Sequence, residues 1–96
     1  MKVTFHEAAR DELAHAVTFY NDRSEGLGAA LVEDVNSTID RIVTHGDMGV
    51  GVRPGVRRIL LRRFLFSLLY DTSTERVRIL ALMHHRRRPG YWAERV

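Results

Sequence analysis

The sequence predicts an α+β protein in which a small antiparallel β-sheet packs against an N-terminal two-helix hairpin. In the first half, two stretches carry apolar residues at every third or fourth position, which is the period of an amphipathic helix. In the second half, three short apolar stretches between residues 56 and 84 are separated by turn-forming residues, as antiparallel strands are. A chain of 96 residues has room for one hydrophobic core, so we predict a single domain over residues 1–96.

The N-terminal stretch predicts a short strand followed by the first helix. Residues 2–5 have β-like character, and Thr4 with Glu7 three positions later matches a capping box. We therefore place the start of the helix there. An apolar stripe follows at helical spacing, formed by Ala9, Leu13, Ala16, Val17 and Tyr20. Residues 21–26 are polar and end in glycine, which predicts the end of this helix.

A second amphipathic helix is predicted over residues 27–45. Its apolar stripe consists of Leu31, Val35, Ile39 and Ile42. Two such helices joined by a short break form an antiparallel hairpin with one shared apolar side. The glycine-rich residues 46–55 that follow are interpreted as a flexible connector.

The alternation of side chains along the strands predicts which residues face the helices. In the first strand Ile59 and Leu61 share one face, whereas Arg58, Leu60 and Arg62 point to the other. In the last strand we expect the helix-facing residues to be Val77, Ile79, Ala81 and Met83. The opposite face is then partly apolar and strongly basic, with incomplete cover from the C-terminal segment. We expect a macromolecular partner to bind on such a surface.

The charge of the chain is divided unevenly between its halves. Residues 1–51 contain four basic and nine acidic side chains, a balance of −5, whereas residues 52–96 contain eleven arginines and three acidic residues, a balance of +8. This split predicts an anionic partner for the C-terminal half. Arginine also suits two-pronged contact with phosphate or carboxylate better than lysine does. The alternative is an arginine-rich surface that contacts only solvent.

Several classes of function are disfavoured by what the sequence lacks. It has no cysteine, which excludes disulfides and thiolate metal sites and fits the cytoplasm. It has no apolar run of about 18 residues and no signal-peptide pattern, so we expect neither a membrane span nor secretion. There is no glycine-rich phosphate loop, nucleophile elbow or His-Glu-x-x-His helix. His84 and His85 are adjacent on a strand and point to opposite faces, so we predict no metal and no cofactor.

The densest group of residues that could carry function lies near the end of the chain: His84, His85, Arg86, Arg87, Arg88, Tyr91 and Trp92. Arginines near a strand end can hold a phosphodiester and stabilise the charge that develops during its cleavage. A neighbouring histidine or tyrosine can move the proton, and exposed aromatic rings can stack on bases. The alternative is that Tyr91 and Trp92 cap the core and the arginines are solvated. We favour the core for Trp92 and leave both interpretations open for the three arginines.

Arg58 and Arg62 form the second candidate group, because their spacing places both on one sheet face. Either they contact a partner, or they pair with Asp71 or Glu75 on the neighbouring strand. We favour the partner, since the apolar residue between the two arginines has no segment assigned to cover it. Tyr70 is interpreted as a core residue rather than a catalytic one.

Motifs along nearly the whole chain match one family. They are Val3 to Ala9, Glu12-Leu13, Tyr20, Leu27-Gly28, Val56 to Arg58, Arg62 to Phe64 ahead of Tyr70, Leu80-Ala81 and His84 to Trp92. In this order they resemble the RelE/ParE superfamily of bacterial toxins from type II toxin–antitoxin operons, including plasmid stabilisation proteins. The ending His-x-x-Arg-x-Pro-Gly-Tyr-Trp is the most specific match. Family members usually have Pro-Tyr where this chain has Leu65-Phe66, a change at the start of a strand.

The resemblance implies both a fold and a function. The fold is a small antiparallel sheet with a two-helix hairpin packed against it. The function is growth arrest, neutralised by a cognate antitoxin whose extended segment and helix wrap the toxin, in a complex that can be a higher oligomer. ParE-like members poison DNA gyrase. RelE-like members are mRNA interferases that cleave mRNA in the ribosomal A site.

The resemblance also implies which residues act. The positions nearest to the nuclease set of the family are Arg58, Arg62, His84, Arg86 and Tyr91. No catalytic glutamate accompanies them, and the only lysine of the chain is Lys2, so we favour a gyrase inhibitor. Its expected partner-binding residues are Arg86, Arg87, Arg88, Tyr91 and Trp92. The alternatives are a ribosome-dependent endoribonuclease, which would be an enzyme, and a non-toxic relic that only binds an antitoxin.

Overall fold

The computed structural model describes all residues, 1–96. It contains two α-helices and five strands, followed by a single 3₁₀ turn at Ala93–Arg95. The elements in chain order are β1 Lys2–Phe5, α1 Glu7–Arg23, α2 Leu27–Thr44, β2 Val50–Arg53, β3 Val56–Leu60, β4 Phe66–Thr72 and β5 Arg76–His84. The predicted α+β class with an N-terminal helical hairpin is confirmed. Neither helix has an apolar stretch long enough to cross a bilayer.

The five strands form one sheet in the order β1-β5-β4-β3-β2. Strands β3 to β5 pair antiparallel, as predicted, and β2 adds a further antiparallel strand. Strand β1 instead joins the edge of β5 in parallel, so the sheet is mixed. The hairpin prediction missed this pair because it links segments more than seventy positions apart, such as Val3 with Val77. The helical hairpin connects β1 at one edge of the sheet to β2 at the other edge, and β3 to β5 then return to β1.

The interpretation of residues 46–55 as a flexible connector is wrong. Their second half forms β2, in which Val50 pairs with Arg58 and Gly51 with Arg57. The turn at Pro54-Gly55 closes this hairpin, and Gly55 takes the positive φ of 80° that a residue with a side chain rarely adopts. Because β2 lies at the edge and is exposed along its whole length, it lacks the alternation that identifies a half-buried strand.

Helix α1 begins later than the Thr4 capping box predicted. Thr4 lies in β1 opposite Arg78, and the N-cap is His6, whose Nδ1 accepts the backbone N–H of Ala8 at 3.0 Å. The backbone N–H of His6 donates to Ile79 O at 2.8 Å, so the cap also extends the ladder with β5. Thr4 therefore pairs with β5 within the sheet, and His6, the first residue after β1, caps the helix instead.

The second helix matches its predicted range to within one residue. Its stripe residues Leu31, Val35, Ile39 and Ile42 are all buried, as predicted. They pack against α1 and one sheet face in a core cluster that also contains Ala9, Ala16, Ile59, Leu61, Phe66, Leu68, Tyr70, Val77, Ile79 and Leu82. The prediction that Tyr70 is a core residue is confirmed, since its side chain is fully buried.

A β-bulge in β5 changes which residues face the helices. Tyr70 pairs with Ile79 but Leu69 pairs with Ala81, which leaves Leu80 without a partner on β4. The extra residue shifts the alternation by one. Ala81 and Met83 therefore belong to a second cluster on the far face, with Val56, Leu69, Leu80 and Trp92. The prediction that Ala81 and Met83 face the helices is wrong for this reason, whereas it holds for Val77 and Ile79.

Candidate functional site

The three consecutive arginines lie on a turn that directly follows β5. The backbone N–H of Arg87 donates to His84 O at 2.9 Å, and the N–H of Arg86 donates to His84 Nδ1 at 3.1 Å. The N–H of His85 donates to Leu65 O at 3.0 Å. This backbone is therefore fixed, while the side chains of residues 86–88 are exposed to solvent.

Beyond this turn the chain folds back over α1 and is held there by Glu12. Arg95 donates from Nη1 to Glu12 Oε1 at 2.8 Å and from Nη2 to Glu12 Oε2 at 3.1 Å. The Tyr91 hydroxyl donates to Glu12 Oε2 at 2.6 Å. The Glu12–Arg95 contact is the only ion pair in residues 1–96. No other arginine of the basic half thus has a carboxylate partner within the chain.

The surroundings of Tyr91 keep its phenol protonated. Burial, then the hydrogen bond to Glu12 and the charge of that carboxylate, raise the pKa of Tyr91 well above its usual value of 10.0. The guanidinium of Arg87 lies 4.2 Å from the centre of the ring. The hydrogen bond that Arg95 donates to Glu12 likewise raises the pKa of Arg95. Tyr91 is therefore a neutral hydrogen-bond donor and poorly suited to act as a base.

A concavity of about 210 Å³ opens on the helix side of this segment. Its lining is Glu12, His15, Phe66, Leu82, His84, Arg87 and Tyr91. The His84 ring stands edge-on to Phe66, at 5.1 Å between ring centres. Because His84 Nδ1 accepts the N–H of Arg86, the proton of the neutral ring resides on Nε2.

A different set of polar side chains meets on the far face of the sheet. Arg58 donates from Nε to Ser67 Oγ at 3.0 Å, and the same Oγ lies 3.2 Å from His85 Nε2. Ser67 is fully buried. Arg58 also lines a concavity of about 280 Å³ with Val52, Leu69, Met83, Pro89, Gly90 and Trp92. Arg58 makes no ion pair with Asp71 or Glu75.

Arg62 lies elsewhere, so the prediction that it shares a sheet face with Arg58 is wrong. Strand β3 ends at Leu60, and the following segment is held by Asp34, which is 5% exposed. The Asp34 carboxylate accepts the backbone N–H groups of Arg62, Arg63 and Phe64 at 3.2, 2.8 and 3.1 Å. These bonds turn the chain away from the sheet, and Arg62 lines a groove beside Glu33 instead.

The candidate residues are thus divided among separate places. His84, Arg87 and Tyr91 line the helix-side concavity, and Arg58 lies with His85 on the far face. The side chains of Arg86 and Arg88 are exposed and line neither concavity, and Trp92 is 7% exposed within the far-face cluster. No three histidine, aspartate or glutamate side chains converge as metal ligands would.

Sequence reasoning missed Glu12 and Asp34, although a signal for both was present. Glu12 lies three residues after Ala9 and four before Ala16, on the apolar stripe of α1. Asp34 has the same relation to Leu31 and to the buried Thr38 in α2. A carboxylate on the buried stripe of a helix needs donors from elsewhere in the fold, and both residues have them.

No family model and no curated protein matches the sequence. Among solved structures, the chain is similar to one described as the chromosomal ParDE TA system from P. aeruginosa. The TM-score is 0.74 at 20% identity, over 88% of this chain and 95% of that chain. The two chains share a fold. The arrangement of an N-terminal helical hairpin on a small sheet, which the motif-based resemblance implied, is therefore confirmed as the fold of this chain.

Proposed function

We propose that this chain is the toxin of a type II toxin–antitoxin module, arresting bacterial growth until a cognate antitoxin neutralises it. The observation that carries the proposal is the shared fold with a chain of a ParDE system over 88% of the sequence. The motif match to the RelE/ParE superfamily, from Val3 to Trp92, supports it independently of the structural similarity. The antitoxin and either target lie in the cytoplasm, so we propose that the toxin acts there.

The charge distribution supports an acidic antitoxin as the partner. Apart from Arg95, the arginines of the basic half have no carboxylate within the chain to pair with. Exposed apolar side chains lie among them, including Leu60 at 53% and Leu65 at 65% exposure. An acidic segment with a few apolar side chains complements such a surface and can fold upon it.

Among targets, we favour DNA gyrase. A nuclease needs a cation and a proton carrier directed at one phosphate. Of the candidate residues, His84 and Arg58 lie on opposite sides of the sheet, and Tyr91 is a bound, neutral donor. The fixed turn of residues 86–88 instead offers an exposed basic contact surface, which suits a toxin that acts by binding.

A second candidate function rests on the far face. Arg58 and His85 are joined there through Ser67 Oγ, so one cation and one imidazole lie close together. This arrangement favours the ribosome-dependent endoribonuclease more than any other group in the chain. In that case Arg58 would stabilise the developing charge and His85 would carry the proton.

The experiment is controlled induction of the chain in a bacterial host, with and without co-expression of any small acidic protein that an adjacent gene encodes. We expect growth arrest that co-expression relieves, together with gyrase-linked DNA breaks and intact ribosome-bound mRNA. Cleaved mRNA without DNA breaks would favour the nuclease. Unimpaired growth with tight binding of the acidic protein would indicate a non-toxic, antitoxin-binding relic instead.

A further inference from the structure

The ladder between β1 and β5 stops before β5 does. The last pair is Phe5 with Ile79, after which α1 begins. The rest of β5, from Leu80 to His84, therefore has no neighbouring strand on that edge. Two side chains satisfy this edge instead. Glu12 Oε1 accepts the backbone N–H of Leu82 at 3.1 Å, and Arg95 Nη1 donates to Leu80 O at 3.1 Å.

The same two side chains hold the end of the chain. Both Glu12 oxygens bind Arg95, and Oε2 also accepts the Tyr91 hydroxyl. Arg95 is held a second time, since its carbonyl accepts Arg78 Nη2 at 3.1 Å. The two side chains are only 15% and 21% exposed. Hydrogen bonds with an ionised partner are about twice as strong as neutral ones, so the carboxylate charge matters here.

Through Tyr91, this contact reaches the arginine turn. The Tyr91 ring lies under the Arg87 guanidinium at 4.2 Å, and the neighbouring Trp92 is buried on the far face of the sheet. The segment is thus fixed on both sides of β5. The exposed side chains of residues 86–88 therefore extend into solvent from a fixed backbone.

We propose that Glu12 is a positioning residue for the C-terminal segment. Its carboxylate closes the open edge of β5 and fixes Tyr91 and Arg95. It thereby presents the arginine turn to the target in one orientation, which lowers the entropy lost on binding. This inference rests on the proposed function for the identity of the target, but its structural half is tested without any target.

The structural test compares Glu12→Gln with Asp11→Asn, an exposed acidic neighbour with no ion-pair or hydrogen-bond partner. Glutamine keeps an oxygen for Leu82 but loses the charge and one acceptor. We expect amide hydrogen exchange at Leu82, and release of residues 95–96 by a carboxypeptidase, to rise about tenfold or more in Glu12→Gln. Exchange and release at the rates of Asp11→Asn would overturn the proposal.

Tyr91→Phe serves as the second variant, in case Glu12→Gln fails to fold. It removes only the hydroxyl bound to Glu12 and keeps the ring under Arg87. We expect faster carboxypeptidase release from Tyr91→Phe than from Phe19→Tyr, a ring change at a half-exposed site on α1. Equal release from the two variants would again contradict a holding role for Glu12.

The functional test measures growth arrest by the same proteins. With the fold intact by circular dichroism, we expect Glu12→Gln to lose growth arrest about tenfold or more while Asp11→Asn retains it. A freed segment with undiminished arrest would show that Glu12 has only a structural role. If the unmodified chain failed to arrest growth, the proposed function would fall, and the exchange measurements would still decide whether Glu12 holds the segment.

Discussion

At the scale of single residues, the phenol of Tyr91 links pH to stability. Its pKa is raised in the folded chain by burial and by Glu12, whereas in the unfolded chain it is about 10. The contribution to stability is therefore complete below about pH 10 and falls above it, because the unfolded chain then loses the proton more readily. We expect urea unfolding between pH 8 and 11 to show a shallower loss of stability in Tyr91→Phe than in the unmodified chain. Identical slopes in the two proteins would contradict this account.

Asp34 is the second residue whose environment makes a quantitative prediction. Its buried carboxylate accepts three backbone N–H groups at the end of β3. Alanine would leave these donors unsatisfied, so we expect Asp34→Ala to lower the free energy of unfolding by about 2–4 kcal/mol. Asp40→Ala, on the exposed side of the same helix, should change it by no more than about 0.5 kcal/mol. If chemical denaturation showed the same change in the free energy of unfolding for both substitutions, the hydrogen bonds of Asp34 would not stabilise the fold as proposed.

At the scale of elements, the entry into β2 depends on close approach at Gly49. Its N–H donates to the Tyr70 hydroxyl at 2.9 Å, and a Cβ there would lie 2.6 Å from that oxygen and 2.9 Å from Arg58 O. Neither neighbour can move freely, because Tyr70 is fully buried and Arg58 O belongs to β3. We expect Gly49→Ala to destabilise the fold by about 1–3 kcal/mol.

Gly51→Ala is the matched control for this prediction. A Cβ at Gly51 meets no atom within 4 Å, and the residue lies in the same hairpin. Thermal unfolding should therefore separate the two alanine variants clearly, with Gly51→Ala close to the unmodified chain. Coinciding transitions would show that contact with Tyr70 does not constrain the segment.

The helices were predictable from sequence because their signal is local. The stripe of Leu31, Val35, Ile39 and Ile42 repeats at helical spacing whatever the rest of the chain does. The bulge at Leu80 was not predictable, since it is a change of register between two strands rather than a property of either one. The same reason hides β2, which has no buried face to generate an alternating pattern.

The candidate site was predictable only in part. Its chemistry-bearing residues are concentrated in residues 84–92, which composition alone reveals. The separation of Arg62 from Arg58 depends on where β3 ends and on how Asp34 redirects the chain, and both are tertiary effects. Glu12 acts on residues some eighty positions away, so its position on an apolar stripe was the only local indication.

At the scale of the whole molecule, the surface predicts how an antitoxin binds. Unpaired arginines attract an acidic segment, but such exposed charges are screened by salt. Exposed apolar side chains such as Val52 and Leu65 supply contacts that salt does not weaken. We expect affinity for the cognate antitoxin to fall by about tenfold or less between 0.1 and 0.5 M salt. Complete loss of binding, measured by calorimetry, would contradict the role of these apolar anchors.

The central proposal is that this chain acts as a toxin by binding its target through the turn after β5. The fixed backbone and exposed side chains of residues 86–88 support this, while Arg58 lies on the other side of the sheet with Ser67. Arg87→Ala removes an arginine side chain from the turn after β5, and Arg58→Ala removes one from the far face of the sheet. The two variants thus compare the two candidate sites. Arg76→Ala, which is exposed at the opposite end of β5, controls for the loss of one positive charge.

The most direct measurement is cleavage of supercoiled plasmid by DNA gyrase in the presence of the purified chain. We expect the unmodified chain, Arg58→Ala and Arg76→Ala to trap cleaved DNA, and Arg87→Ala to require about tenfold more protein for the same effect. Absence of trapped cleavage, together with A-site mRNA cleavage on programmed ribosomes that Arg58→Ala abolishes, would contradict the claim.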